Sequence, residues 1–263
     1  MKKILLFAGL MLFAVTTSHA AVQGKEVTYS ANGTTLKGYI AYDDAVKGTR
    51  PGILVVHEWW GQNEYARKRA RMFAKLGYTA LALDMYGEGK QAYHPDDAGK
   101  FASEVGKDAV VAKARFDAAL EFLKKEKTVD AANIAAVGYC FGGTVVLEMA
   151  RAGEPLKAVV SFHGGLGTQH PAEPGKVTAR VASFTGEDDP MIPADQVAAF
   201  RQEMDKADVT YKAVTYPGAK HSFTNRDADK FGLQFKLPLA YNAAADKASW
   251  NEALTFLADA FKK

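Results

Sequence analysis

The chain has 263 residues, of which 48% are hydrophobic and 24% charged, which fits one α/β domain with a large buried core. Its formal net charge of +3 and the lack of a Lys/Arg cluster interleaved with aromatic residues predict no nucleic-acid partner. Its single cysteine, Cys140, excludes an intramolecular disulfide. That thiol is either buried and inert or present for its chemistry.

The N-terminus has the pattern of a secretory signal peptide. Two lysines precede the apolar run 4–15, and small residues offer a cleavage site before Ala21. The apolar run is well short of the ~18 residues that a membrane-spanning helix needs, so no stable membrane anchor is expected. We expect residues 1–20 to be removed on export, with residues 21–263 forming a single mature domain in a bacterial periplasm.

Short apolar runs alternate with helical stretches along the mature chain, a pattern typical of a parallel sheet covered by helices on both faces. The predicted strands are 27–30 and 36–42, which look like an antiparallel edge, then 52–57, 79–83, 134–138, 156–162, 179–185 and 210–216. The predicted helices are 63–76, one long helix from Asp96 to about Lys125, 141–152, 194–207 and 240–261. These elements predict an α/β fold with a mostly parallel central sheet.

The most specific motif is Gly-Tyr-Cys-Phe-Gly-Gly at 138–143, between a predicted strand and a predicted helix. Its spacing is that of the nucleophile elbow G-x-S-x-G, with Cys140 in place of serine. A helix N-terminus at this position would favour a thiolate and, later, an oxyanion. The alternative is a tight turn that happens to contain a cysteine.

Candidate partners for Cys140 follow the ends of two later strands. Asp188 and Asp189 follow one strand, and His221 follows the next, in the order nucleophile, acid, histidine that α/β-hydrolases use. The spacing of Asp189 from Gly186 favours it as the acid, although Asp188 is a competitor. The alternatives are a solvated acidic turn and an ordinary loop histidine.

Together these motifs resemble the dienelactone hydrolase family of the α/β-hydrolase fold, over essentially the whole mature chain. The stretches that carry the resemblance are the elbow, His-Glu-Trp-Trp-Gly at 57–61, Asp-Met-Tyr at 84–86 and Gly-Ala-Lys-His-Ser-Phe at 218–223. The resemblance implies that Glu58 contacts the resting thiol and takes part in its activation, rather than being a surface carboxylate. It also implies an oxyanion hole formed by the backbone N–H groups of Trp59 and Phe141.

The resemblance implies hydrolysis of a small ester or lactone through a thioester on Cys140, with His221 as base and Asp189 orienting that base. This cycle needs no cofactor. His57 and His163 lie near strand ends, but no motif with metal-ligand spacing accompanies them. The aromatic residues that could wall an apolar pocket, or equally pack in the core, are Trp59, Trp60, Tyr86, Tyr139, Phe141 and Phe223.

Two further positions bear on the charge of the substrate that the site would bind. Dienelactone hydrolases proper hold the substrate carboxylate with two arginines, and the matching positions here are Glu88 and Asn225. Lys90 or Arg226 could substitute, but neither reproduces the expected bidentate geometry. We therefore expect neutral esters or lactones to be preferred. The other function classes left open are a catalytically silent binding protein and a thiol redox role, and a monomer is the simplest expectation.

Overall fold

The computed structural model describes residues 22–262, so the predicted signal peptide lies outside the described residues. The strands are β1 (Val22–Ala31), β2 (Thr34–Asp43), β3 (Arg50–Val56), β4 (Thr79–Leu83), β5 (Val129–Tyr139), β6 (Ala158–Phe162), β7 (Arg180–Gly186) and β8 (Tyr211–Tyr216). The helices are α1 (Glu64–Ala74), α2 (Pro95–Gly106), α3 (Ala109–Lys124), α4 (Phe141–Arg151), α5 (Ala194–Lys206), α6 (Ala228–Phe235) and α7 (Ala243–Phe261). None of these helices is long and apolar enough to span a membrane.

The strands form one sheet in the order β1-β2-β4-β3-β5-β6-β7-β8. β1 and β2 pair antiparallel, β2 pairs antiparallel with β4, and every later pairing is parallel. The α/β-hydrolase fold predicted from the sequence is thereby confirmed. Because the parallel strands share one direction, their carboxyl ends meet at a single edge, where α/β proteins place their ligands.

Helices cover both faces of the sheet, and the strands supply apolar residues to each face in turn. Along β3, Leu54 belongs to the apolar cluster that includes Phe116 of α3, whereas Ile53 belongs to the cluster that includes Phe73 of α1. Both strand residues have no exposed surface. Burial on both faces explains why the central strands read as continuous apolar runs.

One helical prediction was wrong. The expected long helix from Asp96 to Lys125 is two helices, α2 and α3, because the Asp108 side chain accepts hydrogen bonds from the N–H groups of Val110 and Val111 and so caps a new helix. The short helix α6 is an element that the sequence patterns did not predict.

Candidate active site

Cys140 sits in a strained turn between β5 and α4. Its backbone has φ 52° and ψ −119°, a conformation that costs of order 1–3 kcal/mol in a non-glycine residue. A Cβ atom on Gly138 would lie 2.0 Å from the carbonyl oxygen of Gly142, and one on Gly142 would lie 2.4 Å from the carbonyl oxygen of Val56. Only glycine therefore fits on either side of the turn, which leaves the Cys140 side chain partly exposed at the start of the helix.

Three side chains from three strand ends form one hydrogen-bonded chain. His221 Nε2 lies 3.1 Å from Cys140 Sγ, and His221 Nδ1 lies 2.8 Å from Asp189 Oδ2. The other carboxylate oxygen of Asp189 accepts a 2.8 Å hydrogen bond from the N–H of Met191, which holds the acid in place. Asp188 is exposed, so the neighbouring acid, Asp189, is the one that orients the histidine.

The charges in this chain favour a protonated histidine. Burial disfavours the charged imidazolium, but the Cys140 thiolate and the Asp189 carboxylate together raise the pKa of His221 to about 10. The sulfur of Cys140 and the carboxylate of Asp189 therefore lie where they stabilise a protonated imidazole.

Glu58 follows β3 and is 2% exposed, so it is not a surface carboxylate. Its Oε2 accepts a 2.6 Å hydrogen bond from Asn225 Nδ2, while its Oε1 has no hydrogen-bond partner within residues 22–262. Burial raises the pKa of Glu58, and the hydrogen bond from Asn225 opposes that shift only in part. The side chain is therefore a buried acid with one oxygen free to receive or hold a proton.

The backbone around Glu58 presents free amides beside the elbow. The carbonyl oxygen of Glu58 accepts a 2.6 Å hydrogen bond from His57 Nδ1, and the carbonyl oxygen of Trp59 accepts one of 2.9 Å from the Tyr86 hydroxyl. These hydrogen bonds fix the backbone of Glu58 and Trp59. The N–H of Trp59 and the N–H of Phe141 have no acceptor in the described part of the chain. Two free donors next to a nucleophile are what an oxyanion hole requires.

The sequence profile described as the dienelactone hydrolase family matches residues 36–261. The chain belongs to the dienelactone hydrolase family. It is accordingly a carboxylic ester hydrolase of the α/β-hydrolase fold.

Relatives of this dienelactone hydrolase family member extend over most of its length. A dienelactone hydrolase-like promiscuous phosphotriesterase from metagenomic libraries is 34% identical, with a TM-score of 0.86 over 92% of this chain and 99% of that one. A protein of Aquifex aeolicus (strain VF5), a carboxymethylenebutenolidase by assigned name only, is 31% identical over 77% of this chain and 87% of its own. Protein usf of Aquifex pyrophilus is 28% identical over 89% of this chain and 97% of its own.

The aromatic residues predicted to wall the pocket of this family member are divided between the site and the core. Tyr139 and Phe223 have no exposed surface: Tyr139 stacks on Phe162 in the core, with ring centroids 4.9 Å apart. Their burial places both residues in the core, which is the alternative that the sequence left open for them. Tyr86 is buried and packs on Phe141, with ring centroids 5.5 Å apart, whereas Trp60 is buried against Phe231 of α6, with ring centroids 4.6 Å apart.

Glu88 and Asn225, the two positions expected to contact a charged group of the substrate, differ in burial. Asn225 is buried and serves Glu58, whereas Glu88 is exposed. Lys90 lies over the ring of Phe101, with its Nζ 5.9 Å from the centroid. Arg226 lies over the ring of Tyr241, with its guanidinium carbon 5.7 Å from the centroid. Both cations therefore contact aromatic rings in the structure.

His163 is a site residue whose role sequence reasoning missed. It follows β6, and its Nδ1 accepts a 3.1 Å hydrogen bond from the N–H of Cys140, so the opposite nitrogen, Nε2, donates to Thr224 Oγ1 at 2.8 Å. Burial holds the pKa of His163 well below its usual range, so this imidazole is neutral. The strand-end position was the signal in the sequence, but only the fold shows that His163 supports the strained elbow.

Arg69 joins the same network from α1. Its Nη2 donates to the carbonyl oxygen of Thr224 at 2.6 Å and to Asp246 Oδ1 at 2.8 Å, and its Nε donates to the Tyr65 hydroxyl at 3.2 Å. The Tyr65 hydroxyl in turn lies 2.6 Å from Thr224 Oγ1. This buried cation therefore anchors the loop that carries His221. No motif in the sequence marked it.

Proposed function

We propose that this chain hydrolyses neutral esters or lactones through a covalent thioester on Cys140. The observation that carries the proposal is the unbroken hydrogen-bonded chain from Asp189 through His221 to the sulfur, 2.8 and 3.1 Å long. A silent binding protein of this fold would have no need for that alignment. A disulfide-exchange role would lack a second cysteine as resolving partner.

In the acylation step, Sγ of Cys140 attacks the substrate carbonyl carbon and the carbonyl π electrons move onto the oxygen. The N–H groups of Trp59 and Phe141 stabilise that oxyanion. As it collapses, the carbon–oxygen bond to the leaving group breaks, and the imidazolium of His221 gives its proton to the departing alkoxide. The products of this half-reaction are a thioester and an alcohol, which for a lactone stays attached.

In the deacylation step, neutral His221 takes a proton from a water molecule, and the resulting hydroxide attacks the thioester carbon. Asp189 keeps the imidazole in the required tautomer throughout. The carbon–sulfur bond then breaks, which releases the carboxylic acid and regenerates the thiolate–imidazolium pair. Among the described residues Glu58 hydrogen-bonds Asn225 and not Cys140 Sγ, so the contact with the resting thiol that the family resemblance implies is absent and this mechanism gives Glu58 no proton transfer.

Hydrolysis of p-nitrophenyl acetate by the wild type and by Cys140→Ala tests the proposal. We expect measurable turnover by the wild type, a loss of several orders of magnitude in the variant, and a mass increase of one acetyl group on the wild type after rapid acid quench. Equal rates for the two proteins would show that Cys140 is not the nucleophile. Hydrolysis without any acylated species under all quench conditions would argue against the thioester.

Substrate charge is tested by comparing a neutral aryl ester with an anionic dienelactone. Glu88 and Asn225 stand where the family's carboxylate-binding arginines are expected, and a carboxylate near an anionic substrate repels it by ~1 to 4 kcal/mol depending on the local dielectric. We expect a higher kcat/KM for the neutral ester. A tenfold preference for the anionic lactone would refute the neutral-substrate assignment while leaving the hydrolase intact.

We also propose that the enzyme acts outside the cytoplasm as a monomer. The basis is the charged and apolar pattern of residues 1–20, followed by Ala21. Mass spectrometry of the exported protein is expected to show Ala21 as the first residue, and a product that retains residues 1–20 would refute the export assignment.

The oligomeric state is a separate point, for which a monomer is the simplest expectation. Size-exclusion chromatography with light scattering tests it, and the mass of a dimer would refute it.

A further inference from the structure

One face of α4 is open to a cavity that begins next to the nucleophile. The residues of α4 that line it are Phe141, Thr144, Val145, Glu148 and Met149. Steps of three and four residues place these side chains on one stripe of the helix. The first of them, Phe141, directly follows the nucleophile, and its amide is one of the two free donors of the site. The cavity therefore runs away from the elbow along the helix axis.

The opposite walls come from two other segments. Gly106, Ala109 and Ala112 line the cavity at the break between α2 and α3, and residues 167–170 close it from the other side. Small side chains at the helix break leave room, and the cavity, which is open to solvent on one side, has a volume of about 730 Å³. The break between α2 and α3, which the sequence did not predict, borders this cavity. We call the cavity the α4 groove.

The chemistry of the α4 groove suits an uncharged chain. Glu148 is the acidic residue on its α4 wall, and its carboxylate accepts hydrogen bonds from Arg151 Nη1 at 2.7 Å and from Thr168 Oγ1 at 3.1 Å. Lys107 and His170 are exposed at the rim. The remaining lining from α4 and α3 is largely apolar: Ala112, Val145 and Met149 are buried, whereas Ala109 is exposed. No unpaired charge of the described chain faces the floor, so a neutral apolar group would lose the least on entering.

We propose that the α4 groove binds the apolar chain of the ester substrate, a subsite that rests on the proposed hydrolase function. From Phe141 to Met149 the helix rises about 12 Å, which is room for a chain rather than for a methyl group alone. Phe141 is the link between the groove and the site, because it lines the groove and directly follows Cys140. The chain belongs either to the acyl group or to the alcohol.

Two ester series separate these sources. One series lengthens the acyl chain of p-nitrophenyl esters from acetate to decanoate, and the other lengthens the alcohol of alkyl acetates. Each buried CH₂ is worth about 0.8 kcal/mol, or roughly fourfold in kcat/KM. We expect kcat/KM to rise by this factor per carbon in one series and to level off when the groove is full. The series that rises identifies the chain that the groove holds.

A matched pair of variants places the effect in the groove. Ala109 lines it, whereas Val110, the next residue of the same helical turn, is 74% exposed and does not. Ala109→Trp is expected to reduce the octanoate-to-acetate ratio, or the matching alcohol ratio, at least tenfold. Val110→Trp should leave both series unchanged. Equal effects of the two variants would overturn the assignment.

The labelling rate of Cys140, which does not depend on ester turnover, tests the groove independently of the hydrolase function. N-alkylmaleimides of increasing chain length label Cys140, and we expect the labelling rate to rise with chain length in the wild type but not in Ala109→Trp. Ester hydrolysis with flat chain-length dependence in both series would overturn the groove and leave the hydrolase. Chain-length-dependent labelling without hydrolysis of any ester would retain the groove and overturn the proposed function.

Discussion

Replacing Glu58 by glutamine is expected to stabilise the folded protein at neutral pH even though it slows hydrolysis. Burial raises the pKa of the Glu58 carboxyl, so the folded state holds its proton at pH values where the unfolded state has lost it. Stability is then lost as the pH rises from the unfolded pKa through the folded pKa. Glutamine cannot ionise, so it removes that loss.

The expected gain follows from the two carboxylate oxygens of Glu58. Asn225 satisfies Oε2, whereas Oε1 is buried without a partner among the described residues. Glutamine still leaves a polar atom at that place, so the gain is only the part of the ~1–3 kcal/mol penalty that comes from the charge, which we take as about 1 kcal/mol. For a domain of this size each kcal/mol shifts Tm by about 2–4 °C, so the variant should melt roughly 2 to 4 °C above the wild type at pH 7.

Thermal and urea unfolding at pH 7 and near pH 4 provide the assay. Near pH 4 a glutamate in the unfolded chain is largely protonated, so the difference between wild type and Glu58→Gln should shrink. Glu88→Gln is the matched control, because Glu88 is exposed and its removal should change stability little at either pH. A variant that is less stable than the wild type at pH 7 would show that the ionised carboxylate is net stabilising, through His221 or Arg69, and would refute the reasoning.

Three other changes have defined outcomes. Asp189→Asn should lower kcat by orders of magnitude and the exposed Asp188→Asn should not, as initial rates on one ester will show. One equivalent of iodoacetamide should inactivate the enzyme and a bound ester should slow that inactivation, because Cys140 is the single cysteine of the sequence; full activity of a protein shown by mass to be alkylated would refute this. Gly142→Ala, whose Cβ would clash with backbone, should lower Tm sharply or prevent folding, whereas Gly99→Ala in open helical space should stabilise by about 0.5–1 kcal/mol in urea titrations.

Local patterns in the sequence were enough to predict the fold and the triad candidates. Apolar runs of strand length alternate with helical stretches, and the elbow around Cys140 needs glycine at fixed distances. Both patterns can therefore be recognised within a short stretch of sequence. Asp189 and His221 could be placed because each follows a strand, and parallel strands end at one edge. The choice between Asp188 and Asp189 stayed open, since adjacent residues differ little in sequence context.

The tertiary structure decided features that depend on residues distant along the chain. Tyr139 could have been pocket or core, and only packing on Phe162 settled it. Arg69 reaches the catalytic loop across 155 residues, a contact that no local pattern encodes.

Chain order and local chemistry therefore determined the fold class and the reactive residues, because short-range sterics and periodicity act within a few residues. Which groups are buried, which amides are left free and where space for a substrate remains were decided by the tertiary structure, because burial and cavities exist only when distant segments pack together.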